Sequence, residues 1–157
     1  IEEFEYVKNR IDEIEKIIEE ALTKDEELNR KVEIISSIKG VGKKFANDLL
    51  VEVDISKFDS PKKLIAYIGT DPIIKESGSS VGGSKGISKR GNKALRRKIY
   101  YVGCILSRCN EKFKEYYEKK RNQGKNVKSS IVAVVNKLIK IIYYLFKKEV
   151  NFSTEYS

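Results

Sequence analysis

Apolar residues recur at helical spacing along almost the whole chain, and no long run of alternating apolar and polar residues competes with them. The last predicted helix spans 127–148 and is apolar over most of its surface, which places it at the centre of a helical core. Shorter amphipathic helices are predicted for 43–53, 61–68, 92–108 and 110–122. The pattern therefore predicts a mostly or wholly α-helical fold, with at most a short β-ribbon around 73–87.

Residues 1–35 carry a different apolar pattern. From Phe4 to Ile35, apolar side chains alternate at spacings of three and four residues, interrupted where Asp25 takes a seam position. Such a heptad stripe is typical of a coiled-coil arm, from which we expect a homodimer or tetramer. The alternative is that the stripe packs against its own domain. We divide the chain into an arm (1–35), a helical domain (36–150) and a polar, frayed tail (151–157).

Two glycines mark a turn between the arm and the next helix. In the segment IKGVGKK, Gly40 and Gly42 separate two segments with helical periodicity, which is the pattern of a helix-hairpin-helix. Glycine permits positive φ there and lets the backbone approach a phosphate. Lys43 and Lys44 open the second helix, where the N–H groups already favour an anion. The alternative is a plain helical turn with glycine at the C-cap.

The positive charge lies outside the arm. The chain has 32 Lys and Arg against 23 Asp and Glu, but residues 1–35 contain twelve acids and only six bases. The remaining residues carry a net charge of +15, which predicts a nucleic acid as their partner. There is no signal-like start and no apolar run of membrane-spanning length. We therefore expect this chain to be a piece of a longer cytoplasmic protein that does not bind a membrane.

The segment 77–97, SGSSVGGSKGISKRGNKALRR, is the least core-like part of the chain. Its 21 residues include five serines, five glycines, six Lys or Arg and no acid. Hydroxyl groups, exposed N–H groups and cations suit a phosphate backbone. We predict nucleic-acid contacts at Lys85, Ser88, Lys89, Arg90, Asn92, Lys93, Arg96 and Arg97. For Asn92, capping the following helix is an equal alternative, and for the basic residues a solvated face is the other interpretation.

The absence of histidine limits the chemistry of the chain. It excludes Ser-His-Asp and Cys-His catalytic arrangements and any histidine-ligated metal. Cys104 and Cys109 lie five residues apart on a predicted helix and have no metal-type spacing, so we expect two reduced thiols and no metal site. From the residues alone, serines in a glycine-rich loop are more typical of turns than of a nucleophile.

The order of several motifs resembles the C-terminal transposase domain of a known family. From about residue 34 to residue 152, IKGVG is followed by DISKFDSPKKLIAYIGTDP, ESG, GISKRGNKALRR and KSSIVAVVNKLIKIIYYLF. This series is similar to the IS110 transposases and the Piv-type DNA invertases, which are DEDD-class recombinases guided in some members by a bridge RNA. The heptad arm resembles the coiled coil that precedes this domain in the family.

The resemblance implies a role for one serine. In the family, the serine of the SG element is the nucleophile, and the matching residue here is Ser77, followed by Gly78. The resemblance also implies a RuvC-like N-terminal domain that binds a divalent metal, expected to be Mg²⁺, and this domain is missing here. The isolated chain is therefore expected to be inactive. DNA and, in some members, a guide RNA are the implied partners, in a prokaryotic cytoplasm beside the nucleoid.

A non-enzymatic function is the alternative. The chain would then be a helix-hairpin-helix module that binds the backbone of DNA or RNA and dimerises, or chiefly an assembly device with a basic tail. All of these functions predict salt-dependent binding to nucleic acid. Only a covalent protein–DNA species separates the enzyme from the binding module.

Overall fold

The computed structural model describes residues 2–72 and 86–153, and this part of the chain is a bundle of helices. They are α1 (Glu2–Lys24), α2 (Glu26–Ser36), α3 (Lys43–Glu52), a 3₁₀ helix (Ile55–Lys57), α4 (Pro61–Ile68), α5 (Lys93–Cys109), α6 (Glu111–Asn122) and α7 (Val127–Lys148). Within the described residues, extended backbone pairs only at an antiparallel bridge between Pro72 and Ile87. The mostly α-helical prediction is confirmed, and most of the predicted ribbon lies outside the described residues.

α7 forms the centre of the bundle, as its apolar surface predicts. Eleven of its residues are buried, and Leu138 and Ile139 are among the most completely enclosed side chains. α2, α4, α5 and α6 all pack against it. The expectation that no apolar stretch has membrane-spanning length is wrong for α7, which could cross a membrane by length and composition, but 56% of its most apolar window is buried inside the bundle. That burial is what a core helix requires.

α5 packs closely against α7 because a glycine lies in the contact. A Cβ on Gly103 would lie 2.6 Å from Cγ2 of Val135 and 3.3 Å from Cγ2 of Ile131. Both neighbours are β-branched and therefore stiff, so they have little freedom to move away. The apolar stripe of α5 is buried as predicted, at Leu95, Ile99, Val102 and Leu106.

The predicted arm is divided into two helices at Asp25. Asp25 has an extended backbone (φ −95°, ψ 109°) and caps α2, because its Oδ1 accepts a hydrogen bond from the N–H of Leu28 (3.0 Å). α2 then belongs to the core, where Val32, Ile34 and Ile35 are buried. The heptad stripe from 4 to 35 therefore does not form one continuous helix. An aspartate side chain favours the start of a helix over its interior.

α1 leaves most of the predicted seam exposed. The exposed fractions are 74, 54, 50 and 47% for the seam residues Phe4, Val7, Ile11 and Ile14. Near the end of the helix, Ile18 and Leu22 pack against the core instead. An exposed apolar row of this length is typical of an interface. Pairing through the seam stays a prediction, and it concerns α1 alone.

The chain after α7 is anchored where the tail was expected to begin. Phe152 packs against the core, and its N–H donates a hydrogen bond to Oγ of Ser37 (2.8 Å). The N–H of Val150 donates to the carbonyl of Leu145 (3.2 Å). Fraying from residue 151 onward is therefore wrong for Phe152, because an aromatic side chain at that position completes the core.

The contact at Gly103 predicts a large loss of stability on enlargement. We expect Gly103→Val to lower the free energy of unfolding by about 1–3 kcal/mol, because its methyl groups overlap α7. The control Ala94→Val introduces the same residue at an exposed position of α5, where the change should stay within about 0.5 kcal/mol. Urea unfolding of both variants measures the difference. Equal midpoints would show that α5 and α7 are not packed this closely.

Candidate nucleic-acid interface

The two ends of the serine- and glycine-rich loop are held together at its base. The N–H of Ser88 donates to the carbonyl of Asp71 (2.9 Å), and the N–H of Lys89 donates to the carbonyl of Gly69 (3.1 Å). These bonds continue the bridge between residues 72 and 87. The hydroxyl of Ser88 also donates to the Asp71 carboxylate. Ser88, a predicted nucleic-acid contact, is therefore engaged in closing the loop.

The predicted nucleophile lies in the segment between these two ends. Ser77, Gly78 and Lys85 fall within 73–85 and lie outside the described residues. The structure describes the residues that flank this segment, Pro72 and Gly86. Both ends lie beside the start of α5, since residues 86–92 lead directly into that helix.

Glycines permit the close approach of α4 and α5 at this base. Gly69 ends α4 in the left-handed conformation (φ +81°). A Cβ on Gly91 would lie 2.1 Å from the carbonyl oxygen of Tyr67 and 2.6 Å from that of Ile68. Since both atoms belong to the backbone, no side chain fits at Gly91 beside the end of α4.

Arg96 fastens the same junction. Its Nη1 donates hydrogen bonds to the carbonyls of Gly91 (3.0 Å) and Ile68 (3.4 Å). One carbonyl ends α4 and the other precedes α5, so the guanidinium connects the two sides. The sequence pattern did not indicate this role, because the acceptors lie as far as 28 residues away. No observation tests the contact between Arg96 and nucleic acid that the sequence analysis predicted, and these bonds lead us to expect a role at this junction instead.

Asn92 is the N-cap of α5, one of its two predicted roles. Its Oδ1 accepts hydrogen bonds from the N–H groups of Ala94 (2.8 Å) and Leu95 (3.2 Å). Its Nδ2 donates to Oε2 of Glu52 (2.8 Å), which fixes the start of α5 to the end of α3. Both ends of this side chain are therefore satisfied by the protein. The geometry supports capping over a phosphate contact.

Four exposed cations surround the start of α5, and we call them the loop-base cluster: Lys89, Arg90, Lys93 and Arg97. Within residues 2–72 and 86–153, none of them forms an ion pair with a carboxylate. The neighbouring acid Asp48 is instead paired with Lys98 (2.7 Å). Cations without acidic partners keep their attraction for a polyanion. The cluster is therefore suited to a phosphate backbone.

The glycine turn lies between two helices, α2 and α3, and the assignment of these elements to a helix-hairpin-helix stays a prediction. Gly40 has positive φ (+100°), but Gly42 does not (φ −82°), so the prediction of positive φ is wrong for Gly42. A Cβ on Gly40 would lie 3.0 Å from Sγ of Cys109 and 3.0 Å from Cδ2 of Leu106. Packing against α5 is thus a further reason for glycine there. Phosphate binding by this turn stays a prediction.

The predicted contacts form two groups at opposite ends of α5. α3 runs antiparallel to α5, because Glu52 meets Asn92 at one end and Lys39 meets Asn110 at the other. α5 has 17 residues, which corresponds to a length of about 25 Å. The loop-base cluster lies at its start, and the turn residues 40–44 lie near its end. The sequence analysis did not predict that the two groups lie at opposite ends of one helix.

Lys44 is engaged by the acidic arm. Its Nζ lies 2.6 Å from Oε1 of Glu15 in α1, and this hydrogen bond raises the pKa of the ammonium group above its usual value. Lys43 is exposed at the start of α3. A nucleic acid that binds the turn must therefore compete with Glu15 for Lys44, whereas Lys43 is accessible.

A second cationic and aromatic surface lies on α6 and α7, where the sequence analysis singled out no site. The ring of Tyr116 has the Nζ atoms of Lys137 and Lys120 at 4.9 and 5.2 Å from its centroid. Burial, followed by the charge of Lys112, lowers the pKa of Lys137. A groove of about 350 Å³ beside it is lined by Lys137, Lys140, Ile141, Tyr144, Leu145 and Lys148. The sequence pattern did not predict that these lysines and tyrosines lie together, because the residues belong to two different helices.

The titratable groups do not form a metal site in the described residues. Cys104 and Cys109 are both free thiols, and burial raises the pKa of Cys104, so its thiol stays protonated at neutral pH. Within residues 2–72 and 86–153, no three Cys, Asp or Glu side chains come together as a ligand group. The resemblance assigns the divalent metal to a RuvC-like domain, and its presence there stays a prediction.

A comparison with protein families decides where this chain belongs. Residues 32–118, more than half of the chain, match the model of the transposase IS116/IS110/IS902 family. The chain belongs to this family. As an IS110-family transposase domain, it contains the loop base, the start of α5 and the turn between α2 and α3 within the matched residues.

Relatives of this transposase domain include an invertase and two insertion-element proteins. The pilin gene-inverting protein of Moraxella bovis is 32% identical over 124 residues, which cover 78% of this chain and 38% of that protein. The IS110 43.6 kDa protein of Streptomyces coelicolor is 26% identical over 115 residues (73% and 28%). The IS900 42 kDa protein of Mycobacterium paratuberculosis is 25% identical over 121 residues (76% and 30%). The chain thus spans less than two fifths of their length.

The neighbours Arg96 and Arg97 should behave differently when neutralised. We expect Arg97→Gln to reduce the slope of log affinity against log salt for duplex DNA by about 0.9, the value of one lost phosphate contact. Arg96→Gln should leave that slope unchanged and lower the melting temperature, because it loosens the transposase domain's junction between α4 and α5. Salt titrations by fluorescence anisotropy and thermal melts provide the two measurements. A reduced slope for Arg96→Gln with normal melting would contradict the assigned roles.

Proposed function

We propose that this chain is the part of an insertion-sequence transposase or site-specific DNA recombinase that supplies the nucleophile, Ser77. The family membership supports DNA strand exchange as the reaction class. The closed loop base supports the position, because both ends of the segment with Ser77 lie beside the loop-base cluster. The pairing of residues 69 and 71 with residues 88 and 89 is the observation that supports the proposal.

The chemistry of a serine nucleophile suits strand exchange. The Ser77 hydroxyl attacks a DNA phosphodiester, its proton passes to a base, and the leaving sugar hydroxyl takes up a proton. The phosphate stays bound to the serine as an ester, so the bond energy is kept until the hydroxyl of another DNA end attacks. No ATP is consumed. The step needs neutralisation of the oxygens at phosphorus, which Arg90, Lys93 and Arg97 would supply.

The proposal assigns two further requirements, activation of the serine and binding of the metal, to other groups. Asp71 at the loop base and Glu76 are candidate carboxylates for activating the serine, since the chain has no histidine. The divalent metal, expected to be Mg²⁺, belongs in the proposal to a RuvC-like domain elsewhere in the whole protein. DNA is the proposed partner, with a guide RNA as a further one. The isolated chain is then a binding-competent part without recombinase activity.

The nucleophile can be tested through its covalent product. In the protein produced together with the proposed RuvC-like domain, Ser77→Ala should abolish the covalent protein–DNA adduct and retain DNA binding, because only the attacking oxygen is removed. Ser79→Ala, the same change in the same loop, should keep the adduct. Denaturing gel electrophoresis with labelled DNA measures the adduct, and anisotropy measures binding. An adduct that persists in Ser77→Ala would assign the nucleophile to another residue.

If neither the unmodified protein nor the Ser79→Ala control forms an adduct, and both bind DNA normally, the non-enzymatic alternative is favoured. The exposed Lys43 and the open backbone at Gly42, where nothing lies within 4 Å of a Cβ position, support a phosphate contact at the turn between α2 and α3. A helix-hairpin-helix module would need no more than this contact and a means of dimerisation.

Pairing through α1 can be tested without disturbing the core. We expect Ile11→Asn with Ile14→Asn to convert a dimer or tetramer into a monomer, because both residues belong to the exposed seam. Ile17→Asn is the control: it makes the same change at a position that is 62% exposed but off the seam, and it should leave the mass unchanged. Light scattering measures the mass. An unchanged mass in the seam variant would show that α1 does not mediate assembly.

A further inference from the structure

One face of α5 joins the two groups of predicted contacts. Lys93, Arg97, Tyr101 and Ile105 follow one another at intervals of four residues, so they lie on one side of the helix. All four are exposed. The row begins in the loop-base cluster and ends beside the turn between α2 and α3, since Cγ2 of Ile105 lies 3.8 Å from a Cβ position on Gly40.

Tyr101 is the aromatic member of this row, and a cation lies beside it. The residue is 55% exposed, and Cζ of Arg97 lies 5.7 Å from the centroid of its ring. This is the geometry of a cation–π contact. Within the described residues, neither Arg97 nor Lys93 is neutralised by a carboxylate. An exposed ring is thus placed next to charges that attract phosphates.

Other exposed tyrosines have different surroundings. The ring of Tyr67 packs against Phe58 (5.2 Å between centroids) and that of Tyr144 against Tyr143 (5.5 Å). Tyr6 is 71% exposed but lies in the acidic first turns of α1. Tyr144 also lies near lysines, but its ring is packed against Tyr143. Tyr101 combines exposure with the cation of Arg97 over its ring, which an anionic ligand with a flat apolar face would use.

We propose that Tyr101 stacks against an unpaired nucleobase of a single-stranded nucleic acid, while Lys93 and Arg97 hold the adjacent phosphates. A nucleobase offers a flat π-face, and its backbone supplies the negative charge. In a duplex the base faces are covered by their neighbours, so the site requires an unpaired nucleotide. This inference rests on the proposed function, because strand exchange separates base pairs close to the reacting phosphate.

A protein partner fits this face less well. Its exposed apolar part consists of Tyr101 and Ile105, and protein interfaces usually bury a larger contiguous patch. The cations beside the ring also suit a regularly charged backbone. DNA and RNA single strands share the chemistry that the site recognises, so the experiment includes both.

The test uses the 157-residue chain and fluorescence-labelled oligonucleotides of about 12 nucleotides. Each is prepared as DNA and as RNA, with natural bases and with abasic positions. We expect Tyr101→Ala to weaken binding of the natural strands roughly 5- to 150-fold, the usual loss for one stacked base. Tyr101→Phe should bind like the unmodified chain, because its ring is retained. Tyr6→Ala should also leave binding unchanged.

The abasic strands identify the cause of any loss. If a base stacks on Tyr101, the unmodified chain should bind abasic strands more weakly, and Tyr101→Ala should cause little further loss with them. An equal loss on natural and abasic strands, or a change in molecular mass in Tyr101→Ala, would overturn the proposal in favour of a structural or protein-binding role. If the unmodified chain binds natural RNA strands more tightly than DNA strands, or the reverse, the preferred strand is the one that occupies the site.

Failure of this inference can be distinguished from failure of the proposed function. If Tyr101→Ala binds like the unmodified chain while the covalent adduct at Ser77 forms, only the stacking site is wrong. If the unmodified chain binds no strand at physiological salt, both the stacking site and the nucleic-acid function fail.

Discussion

The close approach of Gly91 to the last turn of α4 is the constraint on which the candidate site depends. A side chain at that position would overlap the backbone carbonyl of Tyr67, so the two helix ends can meet only through a glycine. Their meeting lets the backbone on either side of 73–85 pair and delivers both ends of that segment to the start of α5. Arg96 then connects the two sides with one guanidinium.

The charge distribution indicates which cations serve the fold and which remain for a ligand. Lys98 is paired with Asp48 and Lys44 with Glu15, so these two charges are balanced within the chain. The loop-base cluster has no such balance among the described residues, and cations at a helix start oppose the helix dipole. Local stability therefore does not explain the cluster. An anionic ligand does, because it compensates the positive charge of the cations.

Much of the fold could be predicted from the sequence, because local signals determine it. The predicted bounds 61–68 match those of α4, and Asn92 caps α5, which is one of its two predicted roles. The apolar pattern of α7 placed that helix at the centre of the bundle. The arm was harder, since one aspartate both interrupts a heptad stripe and starts a new helix. The loop base depends on acceptors far along the chain, such as the pair Thr70 and Asn136, 66 residues apart. No local pattern encodes such partners.

α5 also sets the distance between the two groups of cations. Its length of about 25 Å corresponds to roughly seven base pairs of duplex DNA, less than one helical turn. A nucleic acid that contacts both the loop-base cluster and the turn 40–44 must therefore lie along α5. Between the two ends, the exposed side of the helix presents Tyr101 and Ile105 in place of cations. The ligand thus meets charges at both ends and an aromatic surface in the middle, which suits a strand with unpaired bases better than an intact duplex.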